Sequence, residues 1–199
     1  MKTYTKQIEE PRLAIGYDKH ADSPRNNENL GYFITIEKRY QSPDNNEDLK
    51  SLIQNAGDEA NDVIEHMEKI KVEMEANGYG KVEHITPVYR FEHGNVIYRR
   101  GIANGFDYSN CGFYIVTDKT HEAYGSHAKP IEALIDGELE VYTSYVNGEV
   151  YEYLLRDTDG EEVDGWRGGF LSLAEIKEDL LANGHKEWKD EDMQNYLID

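Results

Sequence analysis

Residues 131–164, IEALIDGELEVYTSYVNGEVYEYLLRDTDGEEVD, carry two patterns in succession. In the first half Ile131, Leu134, Ile135 and Leu139 recur at the spacing of an amphipathic helix, predicted over about 129–145. Asn147-Gly148 then marks a turn. Residues 149–156 and 161–166 read as a hairpin with Thr158-Asp159-Gly160 at its tip. The same stretch holds eleven acids: Glu132, Asp136, Glu138, Glu140, Glu149, Glu152, Asp157, Asp159, Glu161, Glu162 and Asp164. Arg156 is its one base. The apolar periodicity distinguishes it from a disordered acidic tail, so the acid belongs to a segment that folds. Glu132, Asp136 and Glu140 stand at i, i+4 and i+8, one row with rungs about 6 Å apart at about 1.5 Å per residue. Like charges so placed cost about 0.2–0.5 kcal/mol per pair, and no lysine or arginine within the row relieves them.

Working outward, the 199 residues suffice for one domain with a sizeable core, or at most two small ones. Apolar residues make up only 38%, which fifteen tyrosines partly offset because each buries a large ring and keeps its hydroxyl wet. Strands are predicted near 12–18, 31–40, 82–91, 95–99 and 112–118, besides the hairpin. Loops are predicted at 21–29 and 103–110. Residues 47–77 read as two consecutive helices or one kinked helix, weak at Asn55-Ala56-Gly57, and Ser172 with Glu175 forms a capping box for a helix over 172–183. A short helical turn is expected after Thr120. The whole is expected to be a single α+β domain, a mostly antiparallel sheet with flanking helices, in which 185–199 is a loosely ordered tail held through Trp188, Tyr196 and Leu197.

A formal net charge of −19 argues against direct binding to nucleic acid, which needs clustered lysine and arginine, and against an anionic membrane surface. It favours a basic partner, and the basic surfaces of a cell are mostly nucleic-acid-binding sites. One cysteine, Cys111, excludes an intrachain disulfide and a multi-cysteine zinc site. Residues 1–11 are polar with no apolar core of a leader, and no run reaches membrane-spanning length, so a cytoplasmic protein is expected.

Asp18, His20 and Asp22 alternate, and on an extended strand all three would face one way and could hold a divalent metal. The plainer reading is a polar strand end. Arg25, in Ser23-Pro24-Arg25, could clamp a phosphate or carboxylate, or it could pin its own loop. Cys111 with His121 or His127 could form a nucleophile pair, although a lone cysteine before a strand is more often a small hydrophobe. The acidic helix near 58–75 carries Glu65–Lys69 and Lys71–Glu75 at i,i+4, the look of an ordinary solvated face. Phosphate-loop, serine-hydrolase, zinc-protease and dinucleotide fingerprints are all missing, and nothing calls for a cofactor.

Residues 17–40, YDKHADSPRNNENLGYFITIEKRY, resemble a segment of small acidic proteins carried by phages and plasmids. Their pattern is roughly Y-x-x-x-A-[DE]-S-P-R-x-x-x-N-L-G followed by a strand ending in R-Y. Tyr17, Ala21, Asp22, Ser23, Pro24, Arg25, Asn29, Leu30, Gly31, Arg39 and Tyr40 match it. Tyr98-Arg99, the 112–117 strand, residues 140–150 and WRGGF of 166–170, which looks like the family's closing aromatic-glycine turn, echo later parts. Asp107-Tyr108-Ser109-Asn110 stands where the family pattern has Trp-Asp-Ser-Gly. The resemblance implies a mobile-element protein that counters bacterial defence, as anti-CRISPR and anti-restriction proteins do. The leading expectation is therefore a non-enzymatic inhibitor that occupies the basic nucleic-acid-binding surface of a CRISPR effector such as Cas9, or of a restriction enzyme. The alternatives are a small metal- or nucleotide-using enzyme built on Asp18, His20 and Asp22, and an acidic regulatory module without nucleic-acid mimicry.

Overall fold

The computed structural model describes residues 12–157 and 159–198. The polar stretch 1–11, Thr158 at the expected hairpin tip, Asp199 and the side chain of Asp164 lie outside the described residues. The protein is α+β with antiparallel sheets, and its strands divide between two sheets rather than joining one. The chain falls into two compact units, one of Met1–Asp22 with Gly148–Asp199 and one of Ser23–Asn147.

The central unit is built on a four-stranded sheet of order β2-β5-β3-β4, comprising β2 (Tyr32–Thr35), β3 (Val82–His93), β4 (Asn95–Arg100) and β5 (Tyr108–Thr117). Alternation along the strands sends side chains to two covered faces. Phe33, Tyr114 and Val116 pack with Ile135, Leu139 and Tyr142 of α4 (Ile131–Val146). Ile34, Phe113 and Ile115 pack with Leu49 and Ile53 of α1 (Glu47–Asp58) and Ile70 and Met74 of α2 (Val63–Ala76). The sheet is thus a filling between helices, which is why β5 is buried continuously from Cys111 to Thr117. The break between α1 and α2 comes after Asp58, not at Asn55-Ala56-Gly57, because Ala56 belongs to the buried stripe and Asp62 caps the next helix through Ile64 N and Glu65 N. α3 (Asp118–Tyr124) follows β5 directly, its Thr117 and Thr120 forming a reciprocal capping box.

The other unit has a three-stranded sheet of order β1-β6-β7, made of β1 (Leu13–Tyr17), β6 (Tyr151–Arg156) and β7 (Glu162–Phe170), and one helix, α5 (Leu173–Ala182). Leu13, Ile15, Tyr153 and Leu155 face Ile176 and Leu180, and Trp188 and Met193 close the cluster. The C-terminal stretch is therefore ordered through Trp188, and Leu197 also bridges Ile15. The hairpin of β6 and β7 is present, and β7 extends through the WRGGF segment instead of turning there. Ser172 accepts from Glu175 N, while the Glu175 carboxylate reaches Leu171 N, so the predicted capping box is only half formed. Among the described residues no helix is long and apolar enough to cross a membrane.

Candidate acidic interface

Arg25 organises the loop that the family-like pattern marks. A short 3₁₀ turn, Pro24–Asn26, is capped by Ser23, which accepts from Arg25 N at 3.2 Å. The guanidinium has five N–H groups, and all five are used. Nε and Nη2 donate to the two oxygens of Asp44 at 2.6 and 3.0 Å, and Nη2 also donates to Gly31 O at 2.6 Å. Nη1 donates to Asn29 Oδ1 at 3.0 Å and to Glu138 Oε2 at 2.6 Å. Burial alone would lower the pKa of Arg25, but the hydrogen bond and charge of Asp44 and the charge of Glu138 outweigh it and hold the guanidinium protonated. Gly31 completes the hub, since a Cβ there would lie 2.3 Å from Ile115 O. The side chain of Arg25 is 3% exposed. It is a tie between its loop, residue 44 and α4, not a clamp for a ligand, and the binding role considered from the sequence is set aside.

The same hub removes Glu138 from any acidic face. Its carboxylate accepts from Leu30 N at 2.8 Å, from Arg25 and from the Tyr114 hydroxyl. Asp136 is also engaged. Arg100 of β4 donates to it twice, at 2.7 Å each, and these bonds hold its carboxyl below the ordinary aspartate value. The α4 row, which has no lysine or arginine of its own, is thus relieved at Asp136 by a base distant in sequence. Glu132 stays exposed, with His84 Nδ1 at 3.9 Å, and Glu140 is exposed. In the other unit Glu149, Asp159, Glu161 and Glu162 are exposed and Glu152 is half-buried. Asp157 serves the hairpin turn, accepting from Asp159 N and Glu161 N at 2.8 and 3.0 Å. Six carboxylates of the stretch, two in the central unit and four in the other, therefore remain exposed and outside these internal networks.

The sequence-suggested metal trio does not assemble. β1 ends at Tyr17, so Asp18, His20 and Asp22 lie before, in and after the turn at Lys19-His20 instead of sharing a strand face. Asp18 spends its oxygens on His20 N and Gly169 N. Among the described residues no three His, Cys, Asp or Glu side chains gather as metal ligands. Cys111 is fully buried, which pushes its thiol up to about 12 and removes it as a nucleophile at neutral pH. Two features escaped the sequence reading. A groove of about 920 Å³ between α1 and α2 is lined by Asp48, Glu59, Glu65, Glu68 and Glu73 and by Lys69, which pairs with Glu65 at 3.4 Å as its spacing predicts, whereas Lys71 pairs with Glu68 at 2.7 Å, not with Glu75. His121 and His127 face one another, Nε2 to Nε2, at 3.0 Å. Their six-residue separation has no helical meaning, because a turn lies between them. Comparison with protein-family models, curated proteins and solved structures gave no match.

Proposed function

We propose that the protein is a non-enzymatic acidic inhibitor that occupies the basic nucleic-acid-binding surface of a defence nuclease, a CRISPR effector or a restriction enzyme. The observation that carries the reading is the fate of the eleven acids. Folding draws Glu138 and Asp136 into internal pairs, yet leaves six acids facing solvent, Glu132 and Glu140 on α4, Glu162 on β7, and Glu149, Asp159 and Glu161 in the connections beside β6 and β7. Ordered carboxylates lose less freedom on meeting lysine and arginine than a disordered acidic tail would. The choice of a nuclease rests on the resemblance of residues 17–40 to mobile-element proteins.

The test is inhibition of DNA cleavage by a purified Cas9-type effector, with and without guide RNA, and by restriction endonucleases, over a series of salt concentrations. Inhibition should weaken steeply as salt rises. Glu132→Lys with Glu140→Lys, and separately Asp159→Lys with Glu161→Lys and Glu162→Lys, should each retain the fold, and at least one set should lose inhibition. Inhibition by both sets equal to that of the unaltered chain at low and moderate salt would refute the acidic mechanism.

A further inference from the structure

We infer that His121 and His127 form a two-imidazole site for a divalent transition-metal ion. Two separate backbone devices build it within the central unit. His121 lies in the last turn of α3, where Gly125 donates its N–H to His121 O and takes a φ of 85°, turning the chain so that His127 returns to its neighbour. On β3 the pairing with β5 slips between Val82 and His84, which leaves Glu83 as the extra residue of a bulge. Bulges re-aim side chains, and Glu83 Oε2 lies 2.6 Å from His121 Nδ1. His127 Nδ1 lies 2.8 Å from the carbonyl oxygen of Lys129.

A carbonyl accepts and cannot donate, and the same is true of an ionised carboxylate. Each Nδ1 therefore carries a proton, and in the neutral imidazole each Nε2 presents a lone pair. At 3.0 Å the two Nε2 atoms are close enough that two lone pairs repel unless a proton or a metal ion lies between them. An imidazole whose other nitrogen donates to a carboxylate or a carbonyl is also the arrangement that orients histidines on metals. A metal about 2.0–2.1 Å from both nitrogens would see them at an angle of about 95°. That angle suits neighbouring positions of a tetragonal or octahedral ion, such as Ni²⁺ or Cu²⁺, better than a tetrahedral one. Since no third protein ligand is gathered among the described residues, water or an added donor completes the shell. The His121 side chain is 32% exposed, so the site is open to solvent.

The test titrates the full chain with Ni²⁺ by calorimetry at pH 7.5 and 5.5, and follows all the imidazoles by nitrogen-15 NMR. One equivalent should bind at pH 7.5 and be lost at pH 5.5 as protons compete. Paramagnetic broadening should single out His121 and His127. His121→Ala and His127→Ala should each abolish binding, His93→Ala should leave it intact, and Glu83→Gln should weaken it about tenfold or more. The broadening is read on the unaltered chain, so the outcome stands even if a variant misfolds. Absence of saturable binding, binding that broadens other histidines, or a pair that holds only a shared proton in the presence of Ni²⁺ would overturn the site.

Discussion

Burying a guanidinium is costly, and Arg25 meets that cost only because every N–H finds an acceptor and two carboxylates stand against one cation. Removing the arginine leaves Asp44 and Glu138 facing each other's field without it. Arg25→Ala should therefore destabilise the central unit by about 3–5 kcal/mol. Arg25→Lys should not restore it, because an ammonium cannot supply five donors in a planar fork. Glu138→Gln should cost less than either, since the amide oxygen can still accept from Leu30 N or from the arginine. Urea denaturation followed by circular dichroism would rank the three, and Arg25→Ala within 1 kcal/mol of the unaltered chain would contradict the hub. The sequence made it legible that Arg25 could pin its own loop, and Ser23 and Asn29 are local partners. It could not show Glu138, 113 positions away, whose inward turn depends on how α4 lies on the sheet.

The elements were more legible than their partners. α4 announces itself through Ile131, Ile135 and Leu139, and β5 through its unbroken apolar run, because periodicity reports burial directly. Their ends were read less well: β5 begins at Tyr108 inside an expected loop, and β2 stops at Thr35. Tertiary pairing decides both, as Tyr108 registers with Phe91 on β3. The divergence matters for choosing control substitutions on the α1–α2 pair, where Asp62 and Glu65 look like interchangeable surface acids. Asp62 caps α2 with two backbone N–H bonds, and Glu65 accepts from Asn61 N and its side chain, which lowers the Glu65 carboxyl. Asp62→Ala should cost about 1 kcal/mol. Asp58→Ala, at the C-terminal end of α1 where a negative charge opposes the helix dipole, should be neutral or slightly stabilising. Paired thermal melts would check this, and equal shifts for the two variants would remove the distinction. Asp58 and Glu75 are thus acids whose reversal tests non-specific charge loss without disturbing a cap, whereas the Glu73 carboxylate accepts from Asn77, the C-cap of α2.

At the scale of the molecule the charge is shared. The unit of Met1–Asp22 with Gly148–Asp199 has nineteen acids and nine bases, and Ser23–Asn147 has twenty-one and twelve, so formal charges of −10 and −9 fall on separate cores. Neither unit can shed its repulsion onto a neutral scaffold. Like charges at high density oppose the compact state, and added salt screens them. The melting temperature should consequently rise as sodium chloride goes from about 20 mM to about 500 mM, where the Debye length has shortened to a few ångströms. The internal pairs, Arg25 with Asp44 and Glu138 above all, are too buried to be weakened much over that range. Association with a basic partner should move the other way and weaken over the same range, because there the screened interaction is attractive. The two slopes come from one charge distribution and must have opposite signs. Scanning fluorimetry of the free protein and an affinity series with a nuclease of the proposed class, in matched buffers, would measure both. A melting temperature that falls with salt would mean that attractive surface pairs outweigh repulsion, and the six exposed carboxylates could not then form the uncompensated field on which the inhibitor reading depends.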